Sequence, residues 1–344
     1  MKFTAAIIGA GRVGTYHVKG QLALGSSVVI YQPDTEGAMR FLEQFKDQDV
    51  VLADSLEDAI EAADVVHICT PPMAHLEVAL TSIKRGKPTI IEKPLALDLK
   101  EAVEIYRAAQ DASVPAILAT SFRVGPAFPV IYDHVHNGDV GPVTSIETSY
   151  VHDVKNLEGG NTWRKQLEGN AFLYEGGSHG VDLNMWMANQ EVVELEAIVG
   201  TKKTREEYKW IEDFGINLRY QDGMLGRVWV SASAPLPRHG SHMGVYGSTG
   251  SYRVHSKEGF YESYSEGDPA WTKHEIDESL TMRTMETMAA IFNDYIRGER
   301  KDFKPMPDIA DGIRLMIVMD TIEKAIASGE VMSVPTFEQI LIEN

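Results

Sequence analysis

The chain of 344 residues contains a single cysteine, Cys69, so no disulfide can form within it. That excludes the small bridge-stapled scaffolds of secreted proteins and fits a reducing, cytoplasmic setting. Basic residues are scarce: 32 Lys and Arg stand against 50 Asp and Glu, a formal net charge of −18. Nucleic acid and anionic membrane surfaces both require clustered cations, so neither is expected as a partner. Long apolar runs are also missing, and the stretch after Met1-Lys2 is broken at Gly9, so neither a membrane span nor a secretory leader is expected. No internal repeat or low-complexity tract is present.

What remains is an ordinary globular composition, 44% hydrophobic and 24% charged. The length favours two domains over one core. The first 120 or so residues alternate short apolar strands (Phe3–Ile8, Val28–Tyr31, Val50–Ala53, Val65–Cys69, Pro88–Ile91, Ala116–Thr120) with helical segments. Nearly continuous apolar strands separated by helices indicate a parallel sheet covered on both faces. Beyond residue 123 the rhythm changes to successive alternating strands with turn signals at Gln221-Asp222-Gly223 and Gly247-Ser248-Thr249-Gly250. Late helices are expected at Thr281–Arg297 and Ile309–Ser328. The predicted fold is α/β: a doubly wound parallel domain over 1–122, then an α+β domain with an open, mostly antiparallel sheet over 123–344.

The hexapeptide Gly9-Ala10-Gly11-Arg12-Val13-Gly14 directly follows the first strand and opens the first helix. In that context it reads as the dinucleotide-binding turn of a Rossmann domain. Gly9 permits the turn, Gly11 leaves room for a pyrophosphate, Gly14 lets helix and strand pack, and the helix N-terminus with Arg12 and Val13 faces the phosphate. A carboxylate that holds the adenosine ribose is expected after the second strand, where the chain reads Gln32-Pro33-Asp34. With Gln32 or Asp34 as ribose contact and no Lys or Arg between Tyr31 and Ala38, NAD is favoured, NADP remaining possible.

A second feature is Glu92-Lys93-Pro94, just past a strand end, where open α/β sheets bind ligands. Pro94 restricts the backbone of Lys93, and an ammonium held there can stabilise a developing alkoxide.

The glycine turn, Thr70-Pro71-Pro72-Met73-Ala74-His75 and Ile91-Glu92-Lys93-Pro94-Leu95 together resemble the glucose–fructose oxidoreductase/inositol dehydrogenase (Gfo/Idh/MocA) family. The likeness continues through Ser121-Phe122-Arg123, Trp163-Arg164, Glu175–Trp186 and Asp311-Gly312. It implies an oxidoreductase that moves a hydride between a nicotinamide cofactor and a hydroxyl or carbonyl of a sugar, cyclitol or related polyol, with homodimers or homotetramers usual. It also implies Thr70 and Pro71 beside the nicotinamide, and Glu92 and Lys93 at the cofactor. His75 is open to a cofactor or a packing role, and His17 reads as packing.

The family pattern places an Asp four residues before a His; this chain has Glu175 before His179. On a continuous helix, 175, 179 and 182 share one face, so Glu175 and Asp182 would flank the imidazole and tune a general base. The catalytic set is therefore Lys93, His179 and Glu175. Arg123, Trp163, Arg164 and Asp182 are candidate substrate contacts, and Tyr150, His152, Asp153, Tyr174 and His239 candidate specificity residues. A metal bound by Glu175, His179 and Asp182 is chemically possible, but Lys93 would repel a cation and none is expected. An NAD-dependent glycosidase that works by transient oxidation, or a non-catalytic nucleotide sensor, are the alternative functions.

Overall fold

The computed structural model describes residues 2–153, 167–204, 206, 208–234, 240–255, 259–277 and 283–343. They form two compact units, the first made of residues 1–124 and 279–316, the second of 125–278 and 317–343.

In the first unit, strands β1 (Thr4–Ile8), β2 (Ser27–Tyr31), β3 (Val50–Leu52), β4 (Val65–Ile68), β5 (Thr89–Glu92) and β6 (Ala116–Ala119) alternate with helices α1 (Arg12–Ala23), α2 (Thr35–Glu43), α3 (Leu56–Glu61), α4 (His75–Lys84) and α5 (Leu99–Ala112). The sheet order is β3-β2-β1-β4-β5-β6, and all its pairs are parallel. β4, β5 and β6 are buried at every residue, which is why they read as unbroken apolar runs rather than as alternating ones. The order reverses between β1 and β4, leaving a crevice at their carboxyl ends.

Register aligns Ile7, His67 and Ile90 across β1, β4 and β5, so one buried histidine lies in an otherwise apolar row. Ser55 and Asp98 cap α3 and α5 by accepting the amides of Asp58 and Glu101.

The sequence reading ran the second domain unbroken from 123 to 344, whereas 279–316 clusters with the first unit. The reason is apolar packing. Met288, Phe292 and Met306 join Ala5, Val65, Ile90, Ile117 and Val124 in one buried cluster. The Leu118 N–H also donates to Pro307 O at 3.2 Å. Helical periodicity shows that a segment has a buried face but not which core receives it.

The second unit opens with α6 (Phe128–His136) and β7 (Val143–Val151), followed by the short β8 (Glu168–Gly169), α7 (Ser178–Ala188), β9 (Val192–Val199), the short β10 (Lys209–Trp210), β11 (Asp213–Tyr220), β12 (Leu225–Ser231), β13 (Gly240–Gly247), β14 (Gly250–His255), β15 (Phe260–Ser265) and β16 (Thr272–Glu275). Then α8 (Thr284–Ile296), of the first unit, is followed by α9 (Ile309–Ser328), β17 (Met332–Ser333) and α10 (Phe337–Glu343). The large sheet runs β16-β15-β14-β13-β7-β12-β11-β9-β17 and is mostly antiparallel, as expected, with one parallel pair, β7 with β12. Strands β15 to β17 escape sequence reading because they are short or lack an apolar alternation.

α7 lies on this sheet at close range. A Cβ on Gly177 would come 3.1 Å from Val230, and one on Gly180 3.0 Å from Val228. Asn184, fully buried, ties the helix to the sheet: its Nδ2 donates to Ile146 O and Arg227 O, and its Oδ1 accepts from the Tyr220 hydroxyl at 2.6 Å. These contacts set where the residues at the start of α7 sit.

Phe292 is wholly buried in the cluster that joins α8 to the sheet. Phe292→Ala should therefore lower unfolding free energy by about 3–5 kcal/mol, measured by urea titration. A loss below about 1 kcal/mol would contradict the packing described.

Candidate active site

The glycine turn occupies the carboxyl end of β1, and each glycine answers a different steric demand. Gly9 has φ +108°, and a Cβ there would lie 2.7 Å from the Cys69 carbonyl group. A Cβ on Gly14 would come 2.2 Å from Gly9 O, so α1 can approach β1 only with hydrogen at this position. Gly11 meets nothing within 4 Å. It is the N-cap of α1, without a side-chain cap and with no acidic residue in the first turn. An open glycine at an uncapped helix N-terminus is a cradle for an anionic group. The Oγ1 of Thr70, two residues past β4, is buried with no hydrogen-bond partner among the described residues. Both observations fit a bound dinucleotide.

Gln32 Oε1 accepts the Ala10 N–H at 3.2 Å and braces the glycine turn. Asp34 is exposed at the N-terminus of α2 and is free of such a duty. The absence of cations between Tyr31 and Ala38 holds in the sequence but not in space. Arg40, six residues on, reaches back along α2 and puts Nη2 3.8 Å from Asp34 Oδ2. It lies just beyond the Tyr31–Ala38 stretch.

Lys93 follows β5 directly, and its backbone is held on both sides. Its N–H donates to Glu92 Oε2 at 3.3 Å, and the peptide bond to Pro94 is cis. His75, wholly buried at the start of α4, has Nδ1 2.9 Å from Pro94 O and Nε2 3.0 Å from Thr70 O. One imidazole thus spans the two loops that the sequence marks at the ends of β4 and β5. Burial pushes the pKa of His75 down against these carbonyls, so at neutral pH one ring nitrogen donates and the other contact carries no proton. Leu95 continues this loop under Gly312, where a Cβ would sit 3.1 Å from its Cδ2.

Glu92 is buried, with Oε1 3.0 Å from Nε2 of His17 on α1. Burial acts to raise the pKa of this carboxyl; hydrogen bonding and charge from His17, followed by Lys93, outweigh it and hold the group below the usual carboxylate range.

Arg123 is buried, and its Nη1 lies 3.4 Å from Asp311 Oδ2 on α9. Asp311 also pairs with Arg314 at 3.3 Å. This ion pair ties the turn after β6 to α9 and gives Arg123 a structural partner.

In the second unit the segment before α7 departs from the expected continuous α-helix. Leu173–Gly177 is wound as a π-helix and passes directly into α7. The wider turn shifts Glu175 from α-helical register with His179, and Asp182 is buried whereas those two are half-buried. The step from 175 to 179 thus runs through a wider turn than the α-helical one expected. Among the described residues, no three His, Cys, Asp or Glu side chains gather as a ligand set.

Within this turn the packing is close: a Cβ on Gly176 would come 2.7 Å from the Tyr150 ring. Tyr150 also stacks on His179, with ring centroids 5.3 Å apart. The Tyr174 hydroxyl donates to Glu323 at 2.9 Å. His152 is buried and follows β7 directly, next to Asp153. Trp163, Arg164 and His239 lie outside the described residues.

The steric reading of the turn separates its glycines. Gly11→Ala should leave the thermal midpoint of the nucleotide-free protein unchanged while weakening NADH binding at least tenfold by fluorescence titration. Gly14→Ala should lower the midpoint itself. Equal effects of the two on stability would contradict the assignment.

Comparison with known proteins places this geometry. Residues 3–120 match the oxidoreductase family with an NAD-binding Rossmann fold, and residues 130–253 match the GFO/IDH/MocA C-terminal domain. The levoglucosan dehydrogenase of Pseudarthrobacter phenanthrenivorans is 22% identical over 320 residues, 79% of this chain and 80% of that protein. A myo-inositol dehydrogenase of Streptomyces leeuwenhoekii is 25% identical over 236 residues, 68% and 71% of the two chains. A solved levoglucosan dehydrogenase complex with NADH and L-sorbose superposes with a TM-score of 0.85 at 19% identity, over 98% of this chain and 100% of that one. With both of its halves matched, the chain belongs to the Gfo/Idh/MocA family of NAD-dependent oxidoreductases.

Proposed function

We propose that the protein is a dehydrogenase or reductase of a sugar, cyclitol or related polyol, with Lys93 and His179 as its acid–base pair. The observation that carries this reading is Lys93 itself. Its backbone is gripped at Glu92 and Pro94, at the carboxyl end of a sheet whose first loop offers the Gly11 cradle. A structural surface lysine needs no such bracing. The levoglucosan and inositol dehydrogenases among its relatives support the substrate class.

Bound NAD would supply the hydride acceptor at its nicotinamide. Gly9, Gly11, Arg12, Val13 and Gly14 would face the pyrophosphate; Asp34 would face the ribose, and Thr70, Pro71, Glu92 and Lys93 the nicotinamide end. When a carbinol loses hydride, its hydroxyl proton must leave as well. His179 takes that proton, with Glu175 as the carboxylate that orients it. The Lys93 ammonium stabilises the developing alkoxide. Asp182 and the segment with Trp163 and Arg164 contribute substrate contacts, while His75 and Arg123 serve by holding loops.

Lys93→Ala and His179→Ala should each lower turnover by roughly 10²–10⁴-fold, with NAD affinity nearly unchanged. Glu175→Gln should cost less than His179→Ala. The assay is a panel of polyols, inositols, aldoses and uronic acids with NAD and NADP, followed at the NADH band. Near-normal rates for both alanine variants would contradict the mechanism. Glycoside cleavage without net NADH would favour the transient-oxidation alternative.

NAD is the preferred cofactor in this reading, because the Asp34 carboxylate repels a 2′-phosphate and engages Arg40. Asp34→Asn should release Arg40 and raise NADP affinity relative to NAD. Tenfold tighter binding of NADP by the unaltered protein would contradict it.

The second unit's sheet is the proposed self-association face. Ile198 and Trp229 flank Gly215 in register and are 75% and 50% exposed. Light scattering at micromolar concentration should give a homodimer or homotetramer, and Trp229→Glu should shift it toward monomer. A monomeric unaltered protein would contradict this.

A further inference from the structure

His17 reads from the sequence as a packing residue, and its surroundings give it more to do. It lies on the buried face of α1 with Gly14, Val18 and Gln21. His17 Nδ1 is 2.8 Å from Nδ1 of His67, whose Nε2 is 2.9 Å from Nε2 of Gln21. Gln21 pairs in turn with Asn293 of α8: Asn293 Nδ2 donates to Gln21 Oε1 at 2.9 Å, and Gln21 Nε2 donates to Asn293 Oδ1 at 3.3 Å. Ser26 Oγ also donates to Gln21 Oε1, at 2.8 Å. All of these side chains are buried.

His17 Nε2 is aimed at Glu92 Oε1 at 3.0 Å, while its Nδ1 faces His67 Nδ1. The chain ends on the carboxylate that accepts the Lys93 N–H. Burial works to lower the His17 pKa, but Cys69 and Glu92 outweigh it and lift it to about 10. The ring is therefore a cation at neutral pH and carries a proton on Nε2 toward Glu92. Burial, joined by the charge of His17, pushes His67 the other way, so it remains neutral.

We propose that His17 is a positioning residue for Lys93: it holds Glu92 as an oriented carboxylate, and Glu92 holds the lysine backbone, while His67, Gln21 and Asn293 fix the imidazole. A packing histidine needs partners only for its own nitrogens. Here the chain terminates on the residue next to the lysine, and His75 grips the residue on its other side. The inference rests on the reading of Lys93 as a catalytic group.

Two substitutions separate the arms of the ring. His17→Gln keeps a donor at the position of Nε2, toward Glu92; His17→Asn keeps one at the position of Nδ1, toward His67. The expected result is a kcat within threefold of the unaltered enzyme for His17→Gln and at least a tenfold fall for His17→Asn. The nucleotide KM should stay within twofold in both. Hydrogen exchange of the Lys93 amide, read without substrate or nucleotide, should accelerate at least tenfold in His17→Asn only.

A role confined to packing or to satisfying His67 would not favour Gln. Equal kcat and equal exchange in the two variants would overturn the inference. If neither folds, Glu92→Gln keeps the shape and an acceptor for His17 but loses the carboxylate; turnover and Lys93 exchange like those of the unaltered protein would then overturn it. Lys93→Ala is measured alongside. Normal turnover in Lys93→Ala overturns the reading of the lysine, whereas collapse there with no loss in His17→Asn overturns only the role of His17.

Discussion

The approach of α1 to β1 is the constraint on which the rest of the first unit depends. It is set by the hydrogen at Gly14, because a Cβ there would sit 2.2 Å from Gly9 O. With the helix this close, its N-terminus opens at Gly11 above the sheet's crevice, and its buried face delivers His17 and Gln21 onto β4. One steric condition thus serves both the phosphate cradle and the brace on the lysine. The buried charge this creates is tolerable because it is shared. A lone carboxylate in a dry interior would neutralise, whereas Glu92 has an imidazole on one oxygen and a backbone amide on the other.

Polar burial recurs in the second unit with a different purpose. Asn184 makes α7 inseparable from its sheet, as Gly177 and Gly180 let the helix lie against Val230 and Val228. One turn earlier the chain winds as a π-helix over Leu173–Gly177, with Glu175 and His179 half-buried beside it. Each unit thus anchors a regular element with a buried, hydrogen-bonded polar side chain, Glu92 in the first and Asn184 in the second.

The parallel strands of the first sheet, the glycine turn and the strand-end lysine were legible because each is a local pattern: an apolar run, a turn residue or a motif at fixed offset. Even the division of labour among Gly9, Gly11 and Gly14 follows from spacing alone. The return of residues 279–316 to the first unit was not legible, since Met288 and Phe292 carry no mark of which core they fill. His17 read as a packing residue because its partnership with His67 closes over 50 positions. Arg40 was missed for a simpler reason: helical geometry carries it back to Asp34 from beyond the window in which a cation was sought. The π-turn at Leu173–Gly177 was not legible, since the reading of 175, 179 and 182 assumed an α-helical step throughout. A run of Gly176-Gly177 against an aromatic at 150 was its available signal, readable only with the sheet in place.

The central claim is that Lys93 and His179 act on one hydroxyl of a polyhydroxylated substrate. A crystal structure of the ternary complex with NADH and a turned-over polyol tests it most directly. The account predicts both Lys93 Nζ and a ring nitrogen of His179 within hydrogen-bond reach, about 2.6–3.2 Å, of the oxygen on the carbon that faces nicotinamide C4. A complex in which either group points away from that oxygen, with another side chain in its place, would contradict it.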